Sequence, residues 1–219
     1  MKQIFAALTA LTLLCTLTAC GGMADQSAST PSPSDQKELL SENGTSSTPD
    51  EREPAAAEDP RVLVAYFSAT GNTEHIAQYI QTILNADLYE IVPEEPYTDD
   101  DLNYNNDNCR ANREQNDPDA RPAITGTLAH PEDYDAVFLG YPIWWGQAPK
   151  IIYTFLEHYD FDGMTIVPFC TSGSSGIGSS AEPLHALAPD ANWLPGQRFD
   201  GSTSQEEAAA WVEELELPE

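Results

Sequence analysis

Positive charge is scarce in this sequence. Its 219 residues hold 9 Lys and Arg against 36 Asp and Glu, a formal net charge of −27. A nucleic-acid binder needs a basic face to track phosphates, and a polybasic membrane patch needs clustered Lys and Arg, so both classes are excluded. Cysteine is scarce as well. The four present form no Cys-x-x-Cys pair, which argues against a zinc ribbon or a disulfide scaffold; Cys109 and Cys170 could pair in an oxidising compartment, yet nothing in the sequence places them together. No Gly-x-Ser-x-Gly elbow exists, so a hydrolase is unsupported. His75, His130, His158 and His185 lack metal-ligand spacing, and Asp99–Arg110 lacks the central Gly and closing Glu of a calcium loop. No solenoid repeat is visible. What is present is enough apolar material, 41% hydrophobic and 9% aromatic, for one domain or at most two small ones.

The front end reads as an address and a tether. Lys2 followed by an apolar stretch from Ile4 to Leu17 predicts a secretory signal over residues 1–19. The stretch is too short and too rich in Thr for a membrane span of about 20 residues. Leu17-Thr18-Ala19-Cys20, then Gly21-Gly22, resembles a bacterial lipobox. That resemblance implies cleavage before Cys20 and a lipid on its sulfur, hence an extracytoplasmic chain anchored to the bacterial cell membrane. An ordinary signal peptide with an incidental cysteine is the alternative. Residues 20–60 have no aromatic, Val or Ile, so they cannot offset their ordering entropy and are expected to form a disordered tether with a reach of about 35 Å.

Composition changes at Arg61. From there on, 27 acidic residues face 6 basic ones, so residues 61–219 form an expected domain of net charge −21. Val62–Phe67 is a near-continuous apolar run, the mark of a parallel strand buried on both faces. Ile76, Ala77, Ile80, Ile83 and Leu84 make one stripe on a helix predicted over Asn72–Asn85. Further strands are predicted at Leu88–Val92, Ala136–Gly140 and Thr165–Cys170, with a weak edge strand near Trp193–Phe199. Pro168 is awkward in a central position. Helices are predicted after Pro149, around Ser180–Leu187, and after Ser204, where Ser204 and Glu207 have capping-box spacing. Residues 93–130 read as a polar helix with long connections. Alternating strands and helices predict an α/β fold, a doubly wound five-stranded parallel sheet with helices on both faces.

Three loops carry chemistry. Ser68-Ala69-Thr70-Gly71-Asn72-Thr73 follows the first strand and opens onto the first helix. A helix start at the carboxyl end of a parallel strand offers unpaired N–H groups to an anion, and three hydroxyls add donors. No Lys follows, so the loop suits a monophosphate rather than a nucleoside triphosphate. Tyr141-Pro142-Ile143-Trp144-Trp145-Gly146 follows the third main strand, and Thr171-Ser172-Gly173-Ser174-Ser175-Gly176 the fourth. Successive side chains in an extended segment point to opposite sides, so one tryptophan can enter the core while the other lies over a planar ring. Gly176–Ala181 matches a dinucleotide motif, but in the fourth strand unit too little chain remains for a second nucleotide-binding half.

In these three loops, by order and spacing, residues 61–217 resemble the flavodoxin family. The resemblance implies the strand order 2-1-3-4-5 and FMN as cofactor. It assigns the FMN phosphate to Ser68, Ala69, Thr70, Gly71, Asn72 and Thr73. The flavin ring falls to Tyr141, Pro142, Ile143, Trp144, Trp145 and Gly146, with Thr171, Ser172, Gly173, Ser174 and Gly176 along its other edge. The function so implied is an electron-transfer flavoprotein acting as a monomer on a redox partner protein. Nearby carboxylates and a buried aromatic wall predict a one-electron carrier with a low second potential, and the acidic surface either steers toward a basic partner or only keeps the domain soluble. An FMN-dependent NAD(P)H oxidoreductase acting on quinones or other small acceptors is the alternative. A non-redox interaction module on the same fold is a further one.

Overall fold

In the computed structural model of the chain the described residues are 60–218. The expected signal segment, Cys20 and the expected tether as far as residue 59 lie outside them. In chain order the elements are β1 (Val62–Tyr66), α1 (Asn72–Leu84), β2 (Asp87–Glu90), β3 (Val92–Pro93), α2 (Arg110–Asn116) and β4 (Ile124–Thr125). Then come β5 (Ala136–Pro142), α3 (Lys150–His158), β6 (Thr165–Thr171), α4 (Glu182–His185), β7 (Asn192–Trp193), β8 (Gln197–Phe199) and α5 (Gln205–Glu213).

Every position of β1 and β6 is buried, because each strand lies inside the sheet and is covered on both faces. The pleat deals β1 residues alternately to two cores. Leu63, Ala65 and Phe67 join Val137, Leu139, Ile151, Phe155 and Leu184 on the α3 and α4 side. Val62, Val64 and Tyr66 join Ile76, Ile80, Phe138, Ala208 and Val212 on the α1 and α5 side. Fully buried Phe67, Phe138, Phe155 and Phe169 each contribute about 2–3 kcal/mol of apolar transfer. Phe169 lies so close over Gly140 that a Cβ there would stand 2.2 Å from its ring.

The main sheet is parallel throughout, in the order β2-β1-β5-β6 with β7 and β8 sharing the last edge. This is the predicted 2-1-3-4-5 order with its fifth strand interrupted. The interruption accommodates Pro168. Leu194 donates to the Ile166 carbonyl, so the side of β6 that lacks the Pro168 N–H faces the gap at Pro195-Gly196.

Two sequence expectations shift. The strand expected at Leu88–Val92 is two short strands: Ile91 still donates to the Tyr66 carbonyl, but β1 ends there. Val92–Pro93 then turns away to pair antiparallel with β4. The third main strand runs through Pro142, matching Thr171 at the end of β6. The Ser204–Glu207 capping box on α5 is present, with both reciprocal bonds.

Candidate functional site

The carboxyl ends of β1, β5, β6 and β8 open on one edge of the sheet, the edge where open α/β sheets bind ligands. A cleft of about 320 Å³ lies there. Ala69, Thr70 and Asn72 line it from the first loop, Pro142, Ile143 and Trp144 from the second, and Thr171, Ser172 and Gly173 from the third. Three lining residues were not anticipated from sequence: Leu102 and Tyr104 before α2, and Gly201 after β8. None of these residues is charged. Ser68, Gly71, Thr73, Tyr141, Trp145, Gly146, Ser174 and Gly176 flank the cleft in sequence without lining it.

The first loop keeps its donors unspent. Gly71 caps α1 at φ +83° with no side-chain cap, and the first helical bond runs from His75 N–H to the Gly71 carbonyl at 3.0 Å. Among the described residues nothing accepts from the Asn72, Thr73 or Glu74 N–H groups that precede it. The Ser68 Oγ is buried without a partner. A buried hydroxyl left unpaired costs about 1–3 kcal/mol, and a helix start normally finds a cap. An anion placed here would meet both deficits. Thr73 acts otherwise: it is 1% exposed, and its hydroxyl meets the Thr171 hydroxyl at 2.7 Å, stapling the first loop to the third.

The second loop is built by packing and strain. Trp144 is 4% exposed and stands edge-on to Phe67 and Tyr97, with ring centroids 5.5 and 5.1 Å away. Burial and the adjacent Glu114 carboxylate raise the Tyr97 pKa, and its hydroxyl donates to Glu114 at 2.5 Å. Trp144 and Gln147 exchange backbone bonds at 2.9 and 3.0 Å around Trp145 at φ +46° and Gly146 at φ +78°. Positive φ at both central residues is a type I′ turn, and it costs a tryptophan about 1–2 kcal/mol. The turn throws Trp145 outward, 39% exposed, onto Tyr104 at 4.5 Å and 31°. Beneath it, Gln115 of α2 donates its amide to the Trp144 carbonyl at 3.0 Å and the Ala148 carbonyl at 3.2 Å. Tyr141 is wholly buried, its hydroxyl 3.1 Å from Ser180 Oγ, and burial raises its pKa.

The third loop is tied to the sheet. Ser172 donates its N–H to the Phe199 carbonyl at 3.1 Å, and its hydroxyl bonds the Ser175 carbonyl. Its own carbonyl accepts from Arg198 Nε and Nη2 at 3.1 and 2.6 Å. Topology could have flagged Gly201, since any loop after a parallel strand lies on the binding edge. A lone aromatic between Asn103 and Asn105 is the signal that marks Tyr104. Nothing local marks Gln115 or Arg198, which act from a different element.

Residues 61–215 match the model of the family described as Flavodoxin. The chain belongs to the flavodoxin family. No curated protein matches it. Among solved structures it is similar to a presumed flavoprotein from Bacteroides eggerthii, 46% identical over 71% of this chain and 97% of that one, with a TM-score of 0.67. A second presumed flavoprotein, from Bacteroides uniformis, is 38% identical over 72% of this chain and 100% of that one, with a TM-score of 0.68. A flavoprotein from Lactobacillus acidophilus in complex with FMN shares the fold at 22% identity and a TM-score of 0.54, over 70% of this chain and 99% of that one.

Proposed function

We propose that this flavodoxin-family chain is an FMN-binding electron-transfer protein, held as a lipoprotein through Cys20 on the outer face of a bacterial membrane. The observation that carries the reading is the unspent donor set at the start of α1: the partnerless buried Ser68 hydroxyl in the loop that leads into the free helical N–H groups. Such a set answers a phosphate, and without one it is a standing penalty. Ser68, Thr70, Gly71, Asn72 and the Thr73 backbone would hold the phosphate. Pro142, Ile143 and Trp144 would face the ring from one wall, and Ser172 and Gly173 from another.

FMN, when bound, supplies one- and two-electron transfer. The chain's own residues do the rest. Trp144 and its Phe67–Tyr97 backing keep water out from below, and Gly146, at φ +78°, takes the left-handed turn position beside the ring without strain. The Tyr104–Trp145 pair stands at the mouth with Asp99, Asp100 and Asp101 nearby in the same loop. An acidic rim steers a basic redox partner and loses that advantage as salt rises.

An absorption titration of the chain with FMN, followed by stepwise reduction under anaerobic conditions, tests the reading. Stoichiometric uptake with quenched fluorescence and a distinct one-electron stage is the expected result. Steady oxidation of NAD(P)H by the loaded protein would replace the carrier with a reductase. No uptake would leave only an interaction module.

A further inference from the structure

We propose that Arg198 sets the reduction potential of this cleft: its guanidinium draws the Ser172 carbonyl into a fixed bond and places a positive charge directly behind an uncharged wall. The proposal rests on the FMN reading above.

Basic side chains are rare here, six from Arg61 onward, so the position of each one carries weight. Arg198 lies on β8 in register with Cys170 of β6. Two of its nitrogens bond the carbonyl of Ser172, a residue of the cleft wall, at 3.1 and 2.6 Å. Its third nitrogen stands 3.9 Å from Asp200 Oδ2, while Asp200 Oδ1 accepts from the Ser202 N–H and hydroxyl at 2.9 and 2.6 Å. One guanidinium therefore joins two cleft-lining loops, the one after β6 and the one after β8.

A neutral donor would satisfy a carbonyl equally well. The cation adds something a neutral donor cannot: a full positive charge, on a side chain 29% exposed and so partly shielded from salt. Oxidised FMN that takes up two electrons and one proton gains one unit of negative charge. The surface of this domain, at net −21, opposes that gain at long range. Surface charges beyond about 10 Å are largely screened, whereas a part-buried cation one residue behind the wall is screened much less, and Asp200, 3.9 Å away, offsets only part of its charge. Arg198 thus offsets the acidic surface where it matters, and the second electron goes in more easily than surface charge alone allows.

The test is a potentiometric titration with dithionite on the full chain loaded with FMN, in wild type, Arg198→Gln, Arg198→Lys and Asp200→Asn. Arg198→Gln is expected to lower the two-electron reduction equilibrium constant at least tenfold, about 30 mV, with the affinity for oxidised FMN changed less than threefold. Arg198→Lys should stay within threefold of wild type, because it keeps the charge. Asp200→Asn, which retains the acceptor for Ser202, should move the constant upward two- to threefold. Equal falls in the Gln and Lys variants, or a Gln variant within twofold of wild type, would overturn the proposal. If Arg198→Gln fails to fold in a thermal melt, Asp200→Asn decides: no shift, or a downward one, overturns it. Failure of the FMN reading is separately visible, since wild type would then not quench flavin fluorescence at all.

Discussion

The two ends of the cleft are built on opposite principles. The loop after β1 is relaxed and under-bonded: a glycine in its natural left-handed region, three free N–H groups and one partnerless hydroxyl. The loop after β5 is over-determined: a left-handed tryptophan held by two turn bonds, two amide bonds from Gln115, and aromatic packing from below. The first stores its deficit as unmade hydrogen bonds and the second as backbone strain. Unmade bonds are repaid by a ligand, whereas strain is repaid by the protein's own scaffold. The phosphate end should therefore respond to mutation mainly in binding, and the aromatic end mainly in stability.

Trp144→Ala is expected to have the largest effect. Removing a buried indole costs about 3–5 kcal/mol, and chemical denaturation of the ligand-free chain should show most of it. Gln115→Leu comes next. It strands the Trp144 and Ala148 carbonyls but also removes the partnerless Gln115 Oε1, so a net loss of about 2 kcal/mol is expected. Ser68→Ala should invert the pattern. The ligand-free protein should be as stable as wild type or more so by about 1 kcal/mol, while FMN affinity falls about tenfold. A Ser68→Ala protein that loses stability and keeps affinity would erase the contrast between the two ends. Trp145→Gly should matter least to stability. Relief of the left-handed strain, about 1–2 kcal/mol, roughly cancels the lost Tyr104 stack, and the melting temperature should move by only a few degrees.

Much of this was legible along the chain. β1, α1, β6 and the α5 capping box each follow from a pattern contained within one element, and the first loop reads as a phosphate site because its donors are consecutive in sequence. The division of labour between Trp144 and Trp145 follows from alternation in principle, but which one is buried depends on the type I′ turn. That turn is fixed by Gln115, 29 residues away from Trp144. Gly201 and Arg198 escaped because one lines the cleft and the other backs its Ser172 wall from a loop and a strand whose local pattern says only that they are polar, and Tyr104 showed only as a lone aromatic in a polar loop. The split of the strand expected at Leu88–Val92 escaped for the same reason: the end of β1, not the β2 sequence, decides where pairing stops.

The central claim is that the start of α1 holds a phosphate. Parallel fluorescence titrations of the chain with FMN and with riboflavin, which lacks only the phosphate, test it directly. Two or more charge-assisted bonds of about 1.5–3 kcal/mol each predict FMN binding at least about 100-fold more tightly. Equal affinity for the two flavins would contradict it.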